Sequence, residues 1–141
     1  MPLLYLDASI VVAAIVREAA TKRVQAFLKQ QGPGALRISR WAITEYSSAL
    51  ALKMRTGEMD SALFASAHAR LPQFLAGVGT LEVDAKAFEL AAVFCQRHQL
   101  GLRAGDALHL AVAAAQGCTL VTLDARMAKA APDLGVQVAE I

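Results

Sequence analysis

Four acidic side chains stand in apolar surroundings. Asp7 follows Leu3-Leu4-Tyr5-Leu6, Glu45 follows Trp41-Ala42-Ile43-Thr44, Asp106 precedes Ala107-Leu108-His109-Leu110, and Asp124 follows Leu120-Val121-Thr122-Leu123. A carboxylate in such a frame is costly unless it is capped, paired or bound to a cation. The remaining acids have ordinary uses: Glu18, Glu58 and Glu89 suit solvated helix faces, Asp60 and Asp84 suit caps, Glu82 an exposed strand face, and Asp133 and Glu140 lie near the C-terminus. Taken singly, Asp7, Asp106 and Asp124 can also be helix N-caps, and Glu45 a helix-surface residue near the positive end of the dipole. Taken together in one cleft they repel one another, and some must protonate unless a cation compensates. Oxygen-only ligation favours Mg²⁺ or Mn²⁺ over zinc, and such an ion supports hydrolysis of a phosphodiester.

Other polar groups sit close to this set. Ser9 and Thr122 each stand two residues from an acid, so their hydroxyls can orient Asp7 and Asp124, and Ser9 can equally cap a helix. Arg40, Arg103 and Arg126 each lie within five residues of an acid and are the candidates for phosphate contacts. Trp41, at the start of an amphipathic segment, suits the core or an interface better than base stacking. His109 is one turn beyond Asp106 and within reach of the site, whereas His68 and His98 are ordinary helix residues. No glycine-rich phosphate loop, Ser-His-Asp set or Cys/His zinc spacing is present.

For the four acids to meet, the strands that carry them must end on one side of a sheet. Leu3–Leu6 reads as a buried strand, followed by a helical segment from Ile10 to Val16 and an amphipathic helix from Thr21 to Gln31 that Gly32-Pro33-Gly34 closes. Leu36–Ser39 alternates as a strand, and from Trp41 to Gly57 Ile43, Tyr46, Leu50 and Met54 line one side of a helix. Asp60 caps a helix through Leu63, Phe64, Ala67 and Leu71, which Pro72 is expected to bend or end early. Thr80–Val83 is a strand, and Asp84 caps a helix whose apolar face is Phe88, Ala91, Ala92 and Cys95 and which ends near Gly101. Asp106 opens a helix from Ala107 to Gln116, and Cys118–Thr122 is the clearest strand. A helical turn to Ala131, a break at Pro132 and a last strand near Val136–Val138 complete the chain. This alternation predicts an α/β fold, a three-layer sandwich with a mainly parallel sheet of about five strands flanked by helices. In such sheets ligands bind beyond the carboxyl ends of the strands.

The chain has 141 residues, 56% of them hydrophobic, which fits one domain over residues 1–141. Its net charge is +2 and its pI about 8.7, so affinity for nucleic acid has to come from local clusters of Arg and Lys. Asp7 interrupts the first apolar segment, no basic stretch precedes it, and the apolar run Ala107–Ala115 is too short for a membrane span. These features predict a soluble, cytoplasmic protein with no membrane partner. Cys95 and Cys118 lack paired metal spacing and are expected as reduced core thiols.

In order and spacing, Leu6-Asp7-Ala8-Ser9, Thr44-Glu45, Gly105-Asp106-Ala107-Leu108-His109-Leu110-Ala111 and Val121-Thr122-Leu123-Asp124 resemble the PIN domain, most closely the VapC-type toxins of prokaryotic toxin–antitoxin pairs. The resemblance covers nearly the whole chain. It implies a metal-dependent endoribonuclease, commonly a homodimer, inhibited by a small cognate antitoxin of the VapB kind. It further implies that Asp7, Glu45, Asp106 and Asp124 are the catalytic acids and hold Mg²⁺ or Mn²⁺, with Ser9 and Thr122 supporting them. Met127 departs from the pattern, since the family often has an aromatic residue after the fourth acid. Two other readings use some of the same residues. A receiver-type switch also gathers acids around Mg²⁺, but it requires paired acids after the first strand, a central phosphoacceptor Asp and a Lys after a late strand, whereas here Glu82 lies within its strand and no Lys closely follows Val121. A PIN-like module that binds RNA or a protein without cutting needs no further residues.

Overall fold

A computed structural model describes residues 2–141. Four short strands, β1 (Leu4–Leu6), β2 (Leu36–Ser39), β3 (Gly79–Leu81) and β4 (Thr119–Val121), form one sheet in the order β3-β2-β1-β4, and every pairing is parallel. Around them run α1 (Ala8–Ile15), α2 (Thr21–Lys29), α3 (Arg40–Arg55), α4 (Ser61–Leu75), α5 (Ala85–Gln96), α6 (Ala104–Gln116) and α7 (Ala125–Ala130). The expected α/β sandwich is present with four strands rather than five. The segment near Val138 contributes a single parallel bridge to Leu120, because Leu120 exchanges bonds with Gln137 and Ala139 only, at 2.8 and 2.9 Å.

Strand residues alternate between the two faces of the sheet, and helices cover both. On one face Tyr5 and Leu120 pack with Ala91 and Phe94 of α5 and Leu110 and Ala111 of α6. On the other, Leu4, Leu6 and Val121 pack against Ile10, Ala13 and Val24 of α1 and α2. Ile38 joins Val11, Tyr46 and Leu50 beside α3 and α4. All three residues of β1 are buried, as a central parallel strand requires.

The chain leaves β1 towards β2 and β3, then returns to place β4 on the other flank of β1. Connections therefore diverge between β1 and β4, and a crevice opens at the carboxyl ends of that pair. Asp7 follows β1 directly, while Thr122 and Asp124 follow β4.

Several local expectations are corrected. Helix α6 begins at Ala104, so Asp106 is its third residue and not its opening one; Arg103 is the N-cap, with extended backbone at ψ 161°. Pro72 does not end α4 early, since the helix runs three residues beyond it. Strand β3 spans Gly79–Leu81, one residue earlier at its start and two shorter at its end than Thr80–Val83, leaving Glu82 exposed beyond it. Helix α5 turns Ala87, Ala91 and Phe94 inward, so Phe88 is 58% exposed and Cys95 is exposed rather than in the core. Cys118 is buried, and both thiols are free. Among the described residues no helix is long and apolar enough to cross a membrane.

Candidate active site

Asp7 is both a cap and a buried carboxylate. With extended backbone at ψ 177° it is the N-cap of α1, and its Oδ1 accepts the Ile10 N–H at 3.3 Å. The Ser9 hydroxyl donates to the same oxygen at 2.5 Å, and the Thr122 hydroxyl donates to Oδ2 at 2.5 Å. The second bond crosses from β4 to β1. The Leu123 N–H also donates to Ser9 Oγ at 2.9 Å, so the two strand ends are laced together. Asp7 is only 3% exposed, and burial pushes its carboxyl above the ordinary aspartate value against the pull of the two hydroxyls.

Glu45 projects from the second turn of α3, a helix started by the Ser39 side chain, which accepts the Ala42 N–H. Its Oε1 meets His109 Nε2, on α6. Helix α6 can approach this closely because residue 105 is glycine. A Cβ there would lie 3.2 Å from both Glu45 Oε2 and the Trp41 ring. Asp106 reaches back to accept the Arg103 N–H on Oδ2 at 3.3 Å, which is half of a capping box. Its carboxyl is raised, first by burial and then by the charges of Asp124 and Glu45. Asp124 caps α7 by accepting the Met127 N–H at 3.0 Å, and its own N–H donates to Thr122 Oγ1 at 3.0 Å. Capping and site duties therefore coexist in Asp7 and Asp124.

All four acids line one cavity of about 430 Å³, together with Ser9, His109, Met127, Glu18 and Lys53. The structure thus brings Asp7, Glu45, Asp106 and Asp124 to one cleft, and places both hydroxyls on Asp7. It does not bring the three arginines there. Arg40, Arg103 and Arg126 are exposed and line no part of this cavity, and Arg40 lies 4.0 Å from Glu82. The cation in the cleft is Lys53, which bonds Glu18 at 3.3 Å and Glu58 at 3.4 Å. Lys53 was signalled by its spacing: Glu45, Ala49 and Lys53 follow one another at four-residue steps along α3, and all three line the cavity. Glu18 gave no such signal, since it lies in the irregular segment after α1 rather than on the helix face expected for it.

The donor set suits a hard divalent cation. It consists of oxygens, and Glu45 Oε2, Asp106 Oδ1 and Asp124 Oδ2 are not committed to the bonds above. Among the described residues no three His, Cys, Asp or Glu side chains are gathered tightly enough to enclose an ion unaided. Mg²⁺ needs no such cage, because it commonly keeps several waters and shares a few carboxylates with substrate oxygens.

Comparison with known proteins bears on this arrangement. The family model of the PIN domain matches residues 4–132. The chain belongs to the PIN domain family. That match runs from the first residue of β1 to Pro132, beyond α7, and takes in all four acids. Similar solved structures cover nearly the same span. FitAcB from Neisseria gonorrhoeae aligns with a TM-score of 0.77 at 19% identity, over 98% of this chain and 97% of that one. VapC20 of Mycobacterium tuberculosis, described as a sarcin-ricin-loop-cleaving toxin, aligns with a TM-score of 0.70 at 22% identity, over 90% and 94%. The DNA-bound VapBC of Salmonella typhimurium aligns with a TM-score of 0.71 at 16% identity, over 99% and 98%. At these identities the likeness establishes the PIN fold. A search of the curated proteins finds no match.

Proposed function

We propose that this PIN domain is a divalent-metal-dependent endoribonuclease and the toxin of a type II toxin–antitoxin pair. The observation that carries this is the meeting of Asp7, Glu45, Asp106 and Asp124 in one cavity at the diverging strand ends. On this reading those four acids hold Mg²⁺ or Mn²⁺. When bound, the ion lowers the cost of charge on a phosphodiester and of forming hydroxide from water at neutral pH. The chain's own residues do the rest. Ser9 and Thr122 fix both oxygens of Asp7, so the most buried acid cannot rotate. Asp106 is held by the backbone amide of Arg103, the N-cap of α6, and Asp124 by that of Met127 in α7, and each keeps one oxygen for the cleft. Lys53 supplies positive charge at the rim for a substrate phosphate.

The likeness to VapC20 supports RNA as substrate, and the likeness to the FitAcB and VapBC structures supports a small antitoxin partner of the VapB kind. A homodimer in the cytoplasm belongs to the same reading. The receiver-type alternative gives way to the PIN family match. The test is cleavage of an end-labelled structured RNA by wild type, Asp7→Asn and Asp106→Asn, with Mn²⁺ and with chelator. Expected are 5′-phosphate and 3′-hydroxyl products, loss of cleavage on chelation, and a fall of at least about 100-fold in each variant. Retained RNA binding with no cleavage by wild type would instead show a silent binding module. Cleavage indifferent to chelation would contradict the proposal.

A further inference from the structure

A buried line of polar side chains leads from the end of β2, through β1 and α6, to the cleft. Ser39 Oγ and Tyr5 Oη are 2.6 Å apart, Tyr5 Oη and His109 Nδ1 are 2.7 Å apart, and His109 Nε2 meets Glu45 Oε1. Tyr5 and Ser39 are fully buried and His109 is 1% exposed, whereas the Glu45 side chain is 32% exposed. Only the last member of the line reaches solvent. Buried polar groups are tolerated when each finds a partner, and here each does.

Counting protons gives the line a direction. Ser39 Oγ already accepts the Ala42 N–H as the cap of α3, so its own hydroxyl proton is available to Tyr5 Oη. The Tyr5 hydroxyl is fully buried between Ser39 and His109 and, accepting from Ser39, has one proton of its own to donate. That proton can go to His109 Nδ1. With Nδ1 accepting, the ring proton sits on Nε2 and is donated to Glu45 Oε1.

We propose that His109 is a positioning residue for Glu45, locked as the Nε2–H tautomer by Tyr5 and Ser39, so that Oε1 is fixed and Oε2 is the oxygen offered to a cation. This inference rests on the metal-dependent reading of the cleft. It gives Tyr5, a core aromatic by burial, a polar duty two residues before Asp7. The line thereby ties the orientation of the α3 acid to the same strand that delivers the first acid. Outer partners of this kind typically change metal affinity by about 10–100-fold when removed.

The test uses the full chain. Nitrogen-15 NMR of labelled histidine reads the tautomer directly, without any metal, and the expected spectrum has Nδ1 unprotonated and Nε2 protonated. Calorimetry with Mn²⁺, RNA cleavage and thermal melts are then compared for wild type, His109→Leu, His109→Gln and Tyr5→Phe. His109→Leu and Tyr5→Phe are expected to weaken Mn²⁺ binding by about tenfold or more. His109→Gln, whose amide can present an N–H to Glu45, should stay within about threefold of wild type. A merely structural role would lower the melting temperature without separating Gln from Leu in Mn²⁺ affinity. A proton on Nδ1 in the wild type, equal Mn²⁺ affinity of Gln and Leu variants, or unchanged affinity in Tyr5→Phe overturns the proposal. Should His109→Leu not fold, the wild-type spectrum and Tyr5→Phe decide. Wild type that cuts RNA with metal while the variants match it overturns the positioning role alone, whereas wild type that neither binds Mn²⁺ nor cuts overturns the nuclease reading with it.

Discussion

Asp7 and Asp106 ionise less readily in the folded protein than in the unfolded chain, chiefly through burial. Each therefore favours folding when protonated. That contribution is complete below the ordinary aspartate value of 3.8 and is lost as pH rises through the raised folded value. In the metal-free protein either acid is charged only at a cost to stability, as functional sites commonly show. Asp106→Asn keeps an oxygen for the Arg103 N–H and removes the charge that Asp124 and Glu45 oppose. It should raise the melting temperature of the metal-free protein by a few degrees at pH 7, with a smaller gain near pH 4, while abolishing cleavage. Melts of the two proteins across that range check it, and an Asp106→Asn protein less stable at pH 7 would contradict it. At this scale the sequence showed the four acids well, because each stands beside a recognisable strand or helix end. The partners of Asp7 were legible too, since Ser9 and Thr122 are close to acids along the chain. Tyr5 was not, because its hydroxyl partner His109 lies 104 positions away.

Elements decide which of the charged residues enter the cleft. Arg40 and Glu45 are neighbours in sequence, yet five helical positions place them about 140° apart around α3. Arg40 accordingly points to Glu82. Lys53 is further along the chain but only about 80° from Glu45 on the same helix, and it lines the cavity. Sequence proximity was thus a poor guide to the cation, and helical phase a good one. The start of α6 is hidden in the sequence for a related reason. An acid at the third helical position caps almost as recognisably as one at the N-cap, and only the shift to Ala104 puts Gly105 inside the helix against Trp41 and Glu45. That contact makes a prediction about the element. Gly105→Ala gains about 0.5–1 kcal/mol of helix propensity but inserts a methyl 3.2 Å from Glu45 Oε2 and Trp41. The melting temperature should change by no more than about 3 °C, while Mn²⁺ affinity and cleavage fall about tenfold as Glu45 is displaced. Calorimetry on a folded Gly105→Ala protein that shows wild-type affinity would contradict it.

At the scale of the whole molecule, the strand order puts the site where it is. Only a sheet that leaves β1 on one side and returns on the other opens a crevice between β1 and β4, into which Asp7 and Asp124 project from strand ends while the buried Thr122 holds Asp7. Helices α3 and α6 then add Glu45 and Asp106 from above the same ends. The alternation of strands and helices was legible in the apolar patterning, and with it the three-layer fold. The fifth strand reduces to a single bridge between Val138 and Leu120, bonded through Gln137 and Ala139, which the apolar alternation of Val136 to Val138 does not distinguish from a full strand. Convergence of the acids depends on three crossovers that no local pattern encodes. On the metal-dependent reading, this topology makes one cation site from four carboxylates far apart in sequence. Crystals grown with Mn²⁺ and measured for its anomalous scattering test it most directly. A peak is expected in the cleft, about 2.0–2.3 Å from oxygens of at least two of Asp7, Glu45, Asp106 and Asp124. Absence of any peak there at saturating Mn²⁺, or a peak held by other residues alone, would contradict it.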